Sequence, residues 1–335
     1  MAKVFVTGCT GFIAKNIVKF LIERGYEVVG TARSKAKGDK LREDLKSDKF
    51  SYEIVEDIIK ADAFDEALKK HVDAKVVLHT ASPFFYDSTD PEKDLVIPAI
   101  EGTKNILNAV HKIGRNVSRF VITSSDAAIY SYEDEQNGSL SFDETSWNNI
   151  SYEDAIKDPI SAYYGAKSFA EKAAWAFVKE HNPTFRLTAV NPVYVFGPQA
   201  FDSDAKGKLN TSNEMIQELI SNGPDFKFEN AKGGFVDVRD VALAHLKAFE
   251  NADTVGKRLF MVSSRFSSQM ILDILNKKFP QLKGKIPIGN PGTGEEDIKT
   301  LSKVSNSATK DLLQFPFKSL AQSVEDTVKQ ILKEN

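Results

Sequence analysis

A short apolar run followed by two closely spaced glycines lies at the start of the sequence. Residues 4–7 precede Gly8 and Gly11, and a helical pattern begins at once with Phe12 and Ile13. This order predicts a strand, a tight turn at Gly8 and a helix, with Gly11 allowing a pyrophosphate to approach the backbone. The phosphate would lie at the helix N-terminus, where unpaired N–H groups and the helix dipole favour negative charge. Gly8, Gly11, Phe12 and Ile13 are therefore candidate dinucleotide-binding residues.

The residues after this loop strengthen the prediction, which two glycines alone would not support. Ile13, Ile17, Phe20 and Leu21 recur at the spacing of a buried helical face. Gly25 follows at a place where glycine commonly ends a helix. Strand, loop and helix together favour nucleotide binding over a purely structural turn.

Two basic residues follow the second predicted strand, which covers residues 27–32. NAD-selective proteins place an acidic residue about 20 residues past the glycines, where it binds the ribose 2′-hydroxyl. Here the strand is followed by Arg33 and then Lys37. Because a guanidinium suits a 2′-phosphate, this pair favours NADP(H). The alternative is that both residues are solvated charges on a loop.

Nearly continuous apolar runs alternate with helical patterns, which predicts a parallel sheet covered on both faces. We therefore expect an α/β fold with a Rossmann-type doubly wound parallel sheet. Residues 1–197 would form the NADP-binding domain and 198–335 mainly a smaller substrate-binding domain, with about 235–250 returning to the first. The predicted later strands are 53–58, with Asp57 at its tip near the adenine amine, then 76–82, 120–125 and 187–192; helices are predicted at 92–113 and 162–179, and a loop at 131–160.

The composition excludes several classes of partner. The chain has 335 residues, of which 41% are hydrophobic and 27% charged, and a net charge of −3 gives no basic surface for nucleic acid. No apolar run approaches the roughly 20 residues that span a membrane. Cys9 is the only cysteine, and no signal peptide precedes the first strand, so we expect a cytoplasmic protein. The five histidines lack metal-ligand spacing, so no metal site is predicted.

Three polar residues point to carbonyl chemistry. Tyr163 and Lys167 lie four apart on a predicted helix and so share a face, and Ser125 ends the fifth predicted strand. Carboxyl ends of parallel strands meet at the ligand crevice, which would bring all three beside a nicotinamide. An adjacent ammonium stabilises a phenolate and lowers its pKa from about 10, so the phenol could protonate an alkoxide. Lys167 could also hold the ribose, and Ser125 could hydrogen-bond the substrate oxygen.

Seven short motifs are spread along the chain. They are T-G-x-x-G-x-x-A at 7–14, H-T-A-S-P-F at 79–84, S-S at 124–125, Y-x-x-x-K at 163–167, F-A-E-K-A-A-W at 169–175, N-P-V-Y-V-F-G-P at 191–198 and F-V-D-V-R-D-V-A at 235–242. In this order the sequence resembles the extended short-chain dehydrogenase/reductases over nearly its whole length. The second and fifth motifs resemble the dihydroflavonol-reductase-like branch, and within it the fungal NADPH-dependent methylglyoxal and 3-methylbutanal reductases.

That resemblance implies a function and a set of site residues. The function is NADPH-dependent reduction of aldehydes, α-dicarbonyls and prochiral ketones, with a small-molecule carbonyl compound as substrate. The implied catalytic residues are Ser125, Tyr163 and Lys167. The implied NADPH contacts come from residues 8–13, Arg33, Lys37, Asp57, Ala81, Tyr163, Lys167, Pro192 and Val193. The implied substrate pocket is broad and apolar, is lined by Phe84, Tyr130 and Tyr194, and has Asp126 at its mouth.

Three positions depart from the family pattern. Ala14 replaces the third glycine of the loop, where the residue mainly sets helix–strand packing. The asparagine of a proton relay in many such enzymes would fall near Ala99. Asp126 follows Ser125, where the branch more usually carries an aromatic or small apolar residue. Asp126 is either natural drift at a solvated rim or a substitution that changes substrate choice or stereochemistry.

Two other functions remain open from the sequence. A sugar-nucleotide epimerase or dehydratase of the same fold usually retains NAD, whereas Arg33 and Lys37 favour NADP(H). A non-catalytic NADP-binding redox sensor would not need the intact set of Ser125, Tyr163 and Lys167. The apolar stripe of the helix predicted at 92–113 fits either a monomer or a homodimer.

Overall fold

The computed structural model describes residues 2–82 and 88–334. The strands are β1 (Lys3–Thr7), β2 (Glu27–Ala32), β3 (Phe50–Ile54), β4 (Val76–His79), β5 (Arg119–Thr123), β6 (Ser141–Phe142), β7 (Arg186–Pro192), β8 (Tyr194–Phe196), β9 (Lys232–Asp237), β10 (Arg258–Met261), β11 (Ser264–Ser267) and β12 (Lys303–Val304). The helices are α1 (Phe12–Glu23), α2 (Lys35–Leu45), α3 (Asp65–Lys70), α4 (Ile97–Lys112), α5 (Tyr132–Glu135), α6 (Tyr152–Ala155), α7 (Pro159–His181), α8 (Thr211–Ser221), α9 (Val238–Glu250), α10 (Ser268–Lys278), α11 (Gly294–Asp297), α12 (Ser307–Leu313) and α13 (Leu320–Glu334).

A seven-stranded parallel sheet forms the centre of the molecule, with strand order β10-β7-β5-β4-β1-β2-β3. The order reverses beside β1, which pairs with β2 on one side and β4 on the other. In an open parallel sheet, ligands bind in the crevice outside the strand carboxyl ends at such a reversal. The expected Rossmann-type fold is therefore confirmed, and the glycine loop after β1 lies at the switch point.

Alternating residues of β1 face two different layers of helices. Val4 and Val6 belong to the core that contains Ile17 of α1, whereas Phe5 belongs to the core that contains Ile106 of α4. Helix α1 packs beside α9, and α4 packs beside α7 on the opposite face. Because both faces are covered, the strand needs apolar residues at every position, which explains its continuous apolar run.

A second, smaller sheet has the order β11-β9-β8. Strand β8 follows β7 directly, so the chain passes from the large sheet to the small one at residues 192–194. A separate core that includes Phe235, Ile271 and Val324 surrounds this sheet. Strand β10 lies at the edge of the large sheet. The chain was expected to return to the first domain only at about 235–250, so β10 is an additional return. The division into domains at residue 197 stays a prediction.

Several element boundaries differ from the sequence prediction. Strand β3 covers Phe50–Ile54, so Asp57 lies three residues beyond it. The segment predicted as a loop at 131–160 contains α5, β6 and α6. Helix α7 begins at Pro159 because the Asp158 carboxylate accepts hydrogen bonds from the backbone N–H groups of Ile160 and Ser161, both at 3.0 Å. No helix within residues 2–82 and 88–334 combines the length and apolar character needed to cross a bilayer.

Candidate active site

The glycine loop after β1 has the shape required to hold a phosphate group. Gly8 has a φ of +64°, and a Cβ there would lie 2.9 Å from the Cα of Ala81, so only glycine fits. Gly11 is the N-cap residue of α1, and no side chain caps this helix within the described chain. The first N–H groups of α1 are thus available to an anion. Ala81, a predicted cofactor contact, forms the opposite side of the turn.

Threonine side chains hold this loop in place, a role that the sequence interpretation did not assign. The Thr7 hydroxyl accepts hydrogen bonds from the N–H groups of Thr80 and Ala81 at 3.1 and 3.2 Å. The Thr31 hydroxyl accepts one from the N–H of Gly8 at 3.1 Å. Both threonines are buried. They link β1 to the strands on either side and fix the positions of Gly8 and Ala81.

The predicted adenosine contacts lie at the carboxyl ends of β2 and β3. Arg33 comes directly after β2, Lys37 lies in the first turn of α2, and both side chains are exposed. Asp57 follows β3, and its carboxylate accepts a hydrogen bond from the N–H of Ile59 at 2.9 Å. These positions form one edge next to the glycine loop. The structure thus leaves both basic groups accessible to a phosphorylated ribose.

A cavity of about 370 Å³ lies between the glycine loop, α7 and the start of β8. Its walls contain most of the residues that the sequence predicted to share a site. They are Gly11, Phe12, Ile13, Ser125, Asp126, Tyr163, Lys167, Pro192, Val193 and Tyr194. Asn210, Thr211 and Ser212, at the start of α8, also line it and were missed, because nothing in their spacing links them to the sheet edge.

Ser125 and Tyr163 are hydrogen-bonded to each other at this cavity. The Tyr163 hydroxyl donates to Ser125 Oγ at 3.1 Å. Lys167 lies one turn further along α7 and lines the same wall. Burial lowers the pKa of Lys167 to about 8, and no carboxylate among the described residues pairs with it. Two hydroxyl groups and an amine therefore line the same cavity.

Asp126 is buried beside Ser125 and is not a solvated rim residue. Asp126 is only 7% exposed, although it lines the cavity. Its Oδ1 accepts a hydrogen bond from Ser125 Oγ at 2.7 Å, and its Oδ2 accepts one from the Tyr130 hydroxyl at 2.8 Å. Burial raises the pKa of Asp126. The solvated-rim alternative is therefore wrong.

The three aromatic residues predicted to line the substrate pocket have different placements. Tyr130 is fully buried behind Asp126, between the rings of Phe142 and Phe260, and does not reach the cavity wall. Tyr130 was expected to line the substrate pocket. Its hydroxyl instead donates a hydrogen bond to Asp126 Oδ2, which holds the ring behind the cavity wall. Tyr194 is half-buried and lines the cavity as expected. Phe84 lies outside the described residues.

A buried ion pair lies behind Ser125 and was not predicted as part of the site. Glu171 of α7 accepts a hydrogen bond from Arg258 of β10 at 2.6 Å, and from Asn191 of β7 at 2.7 Å. Asn191 also donates to the backbone oxygen of Ser125 at 3.0 Å. Glu171 lies within the 169–175 motif. The resemblance to the family therefore included this segment, but it did not indicate the buried ion pair that Glu171 forms.

Cys9 and His79 are buried in the structure. Burial raises the pKa of the Cys9 thiol to about 12, and its sulfur packs on Gly30, where a Cβ would lie 2.4 Å away. A nucleophilic thiolate is therefore disfavoured. Burial lowers the pKa of His79 to about 3, and its ring contacts the Thr7 hydroxyl at 2.8 Å. Among the described residues, no three His, Cys, Asp or Glu side chains form a possible metal-ligand group.

The sheet, the glycine loop and the grouping of Ser125, Tyr163 and Lys167 define an extended short-chain dehydrogenase/reductase. Residues 4–262 match the NAD dependent epimerase/dehydratase family, and the chain belongs to that family. Over 334 residues it is 50% identical to the putative NADPH-dependent methylglyoxal reductase GRP2 of Candida albicans, with 98% of each chain covered. The NADPH-dependent methylglyoxal reductase GRE2 of Saccharomyces cerevisiae is 49% identical over 335 residues, again with 98% of each chain covered.

A solved structure shows the same fold throughout. The crystal structure of yeast methylglyoxal/isovaleraldehyde reductase Gre2 complexed with NADPH superimposes with a TM-score of 0.96 and 49% sequence identity. The match covers 99% of this chain and 98% of that one. The predicted resemblance to this branch of the family is thereby confirmed.

Proposed function

We propose that this protein reduces aldehydes, α-dicarbonyls such as methylglyoxal, and prochiral ketones to alcohols with NADPH. The observation that carries the proposal is the hydrogen-bonded pair of Tyr163 and Ser125 in a cavity that also contains Gly11 and Ile13 of the glycine loop. The names of the two fungal relatives support NADPH and a carbonyl substrate.

The residues present fit a 2′-phosphorylated dinucleotide. The turn at Gly8 has no room for a Cβ, and the helix behind it presents uncapped N–H groups to a pyrophosphate. Arg33 and Lys37 would hold the 2′-phosphate, and Lys167 would hold the ribose next to the nicotinamide. When bound, NADPH supplies the hydride that reduces the carbonyl carbon.

Each polar group of the cavity wall then has a separate task. Ser125 donates a hydrogen bond to the carbonyl oxygen and polarises it. Tyr163 donates its proton to the same oxygen as negative charge develops there. The ammonium of Lys167, one helical turn away, stabilises the phenolate that Tyr163 leaves behind. Phe12, Val193 and Tyr194 give the cavity apolar walls for the organic part of the substrate.

Arg33→Asp tests the cofactor assignment. We expect this substitution to weaken NADPH binding by about 100-fold, because it removes a charge-assisted hydrogen bond of about 3 kcal/mol and adds repulsion. NADH binding should change little, since NADH has no 2′-phosphate. Titration of each nucleotide by protein fluorescence measures both affinities. Arg24→Asp reverses an exposed charge at the end of α1 and is the matched control; equal losses for both nucleotides would contradict the assignment.

A substrate panel tests the activity itself. Protein isolated without bound nucleotide should oxidise added NADPH in the presence of methylglyoxal, branched aldehydes and aryl ketones, with alcohol products identified by chiral chromatography. Turnover of a sugar nucleotide by protein that retains NAD would favour the epimerase or dehydratase alternative. NADPH binding without oxidation by any carbonyl compound would favour the redox-sensor alternative.

Two properties of the protein stay predictions. A cytoplasmic location is suggested by the single buried cysteine, and fluorescence of a tagged chain in cells would test it. The chain is expected to be a monomer or a homodimer, which light scattering of the purified protein distinguishes.

A further inference from the structure

Every hydrogen-bonding position of the Ser125 hydroxyl is used within the protein. Ser125 Oγ donates its single hydrogen to Asp126 Oδ1 at 2.7 Å. Its two lone pairs accept from the Tyr163 hydroxyl at 3.1 Å and from the N–H of Ala127 at 3.2 Å. A hydroxyl group has one hydrogen and two lone pairs, so this inventory is complete. In this arrangement Ser125 has no hydrogen for a substrate oxygen.

The hydroxyl hydrogen of Tyr163 is also directed toward the Asp126 side of the site. It is donated to Ser125, whose own hydrogen is donated to Asp126, so two successive hydroxyl groups point away from a substrate carbonyl. A carboxylate has only acceptors and orders such a chain toward itself. Reduction requires the opposite direction, with both hydrogens on the carbonyl oxygen.

A neutral Asp126 carboxyl reverses this chain without moving a heavy atom. Its Oδ1–H then donates to Ser125 Oγ, while Oδ2 continues to accept from Tyr130. The lone pairs of Ser125 are filled by Asp126 and the Ala127 N–H, and its hydrogen is released toward the cavity. Tyr163 no longer has Ser125 as an acceptor and donates to the substrate instead.

We propose that Asp126 is a positioning residue whose protonation state sets the direction of the Ser125 hydroxyl, the neutral carboxyl being the form that supports carbonyl reduction. The inference rests on the proposed roles of Ser125 and Tyr163. It assigns to Asp126 a task that acts through Ser125, and this task differs from a direct contact with the substrate.

The surroundings of Asp126 favour a neutral carboxyl. Burial raises the pKa of Asp126, and it raises that of Glu135 to about 7, with the charge on Asp126 contributing. Arg265 opposes both shifts and pairs with Glu135 at 3.1 Å. The titratable or charged groups that surround Asp126 or share its cavity are Tyr130, Glu135, Arg265, Tyr163, Tyr164, Tyr194 and Lys167.

The sign of the pH dependence follows from this arrangement. Reduction should be fastest below the Asp126 titration and should fall as pH rises through it. For a single proton, the fall in kcat is about tenfold per pH unit until the carboxylate form sets a lower plateau. Tyr163 and Lys167 contribute their own titrations, so the Asp126 component is taken from the ratio of variant to wild-type kcat.

Asp126→Asn is the direct test. The amide imitates the neutral carboxyl, because its N–H donates to Ser125 while its oxygen accepts from the fully buried Tyr130 hydroxyl. We expect kcat of D126N to lack the Asp126 step over the pH range in which the protein stays folded, and to exceed wild-type kcat by about tenfold at the upper end. KM for NADPH should be unchanged. A ratio of kcat values that stays constant across this range would overturn the proposal.

Two neighbouring substitutions should move the wild-type step in opposite directions. Glu135→Gln removes a nearby negative charge and should shift the midpoint to lower pH. Tyr130→Phe removes a hydrogen bond that stabilises the carboxylate and should shift it to higher pH. A role of Asp126 in stability alone would not produce paired shifts of opposite sign. Shifts of the same sign in both variants would contradict the proposal.

A control variant and two tests of the site complete the design. Asp240 is also a buried carboxyl, with a pKa raised to about 6 by burial, but it is hydrogen-bonded to the N–H of Lys318 and does not line the cavity. D240N should keep the wild-type pH profile. S125A and Y163F report on the proposed function separately: full activity in either would refute the assigned site, whereas their inactivity with an unaltered D126N profile would refute only the role of Asp126.

Discussion

Tyr163→Phe is expected to lower kcat for carbonyl reduction by about a thousandfold while leaving NADPH affinity nearly unchanged. General acid catalysis typically contributes a factor of about 10² to 10⁴, and the substitution removes the hydroxyl group to which the proton transfer is assigned. The ring itself stays, so its edge-to-face contact with Tyr164 at 6.0 Å between centroids is retained. Steady-state kinetics and a nucleotide titration on the same preparation measure the two quantities.

Tyr152→Phe is the matched control for this prediction. Tyr152 is also a tyrosine close to α7 in sequence, but it is 42% exposed, and its hydroxyl donates to Glu92 at 2.8 Å on the surface. Loss of that hydroxyl should leave kcat unchanged. If Tyr163→Phe retained most of the wild-type kcat, another group would have to protonate the alkoxide.

Local sequence patterns were sufficient to predict the central fold and the grouping of the main site residues. The apolar run of β1 and the glycines after it define a strand, a turn and a helix within a dozen residues. Tyr163 and Lys167 share a helix face because they lie four apart, and Ser125 follows a parallel strand whose end must meet the crevice. Each of these inferences requires only short-range geometry and a rule of parallel sheets.

The features that were missed depend on contacts between distant segments. Strand β10 belongs to the large sheet because it pairs with β7. Its four residues contain no local pattern that predicts this pairing. Tyr130 was expected at the cavity wall, but it is buried and its hydroxyl donates a hydrogen bond to Oδ2 of Asp126. Asp126 was recognised as unusual, yet its burial could not be predicted, since that depends on how α5 and β11 place Glu135 and Arg265 beside it.

Glu171 is a further feature that local patterns could not predict, because side chains of four residues from separate parts of the chain donate hydrogen bonds to its carboxylate. Arg258 Nε and Trp175 Nε1 donate to one oxygen at 2.6 and 3.0 Å, and Ser124 Oγ and Asn191 Nδ2 donate to the other at 2.5 and 2.7 Å. Glu171 is completely buried. Only a side chain that offers acceptors alone satisfies this set.

Glu171→Gln should therefore destabilise the protein by about 3–5 kcal/mol, the usual result of leaving one member of a buried ion pair without its partner. The amide places an NH₂ group against donors, so it cannot replace the carboxylate despite its similar shape. Because Asn191 also holds the backbone oxygen of Ser125, and Arg258 holds that of Ala128 at 3.0 Å, kcat should fall as well. Denaturant unfolding followed by fluorescence gives the free energy, and kinetics at low temperature give kcat of the folded fraction.

An exposed ion pair provides the contrast for this last prediction. On the surface of α3, Lys69 Nζ lies 2.6 Å from Glu66 Oε1, and the side chains of Glu66 and Lys69 are 81% and 55% exposed. Glu66→Gln should leave the unfolding midpoint unchanged, because water already solvates both charges and contributes most of their stabilisation. If Glu171→Gln were equally harmless, the buried carboxylate would not be what fixes the segment around Ser125. The backbone at Ser125 would then be held by its strand and by the hydrogen bond from Asn191, without help from Glu171.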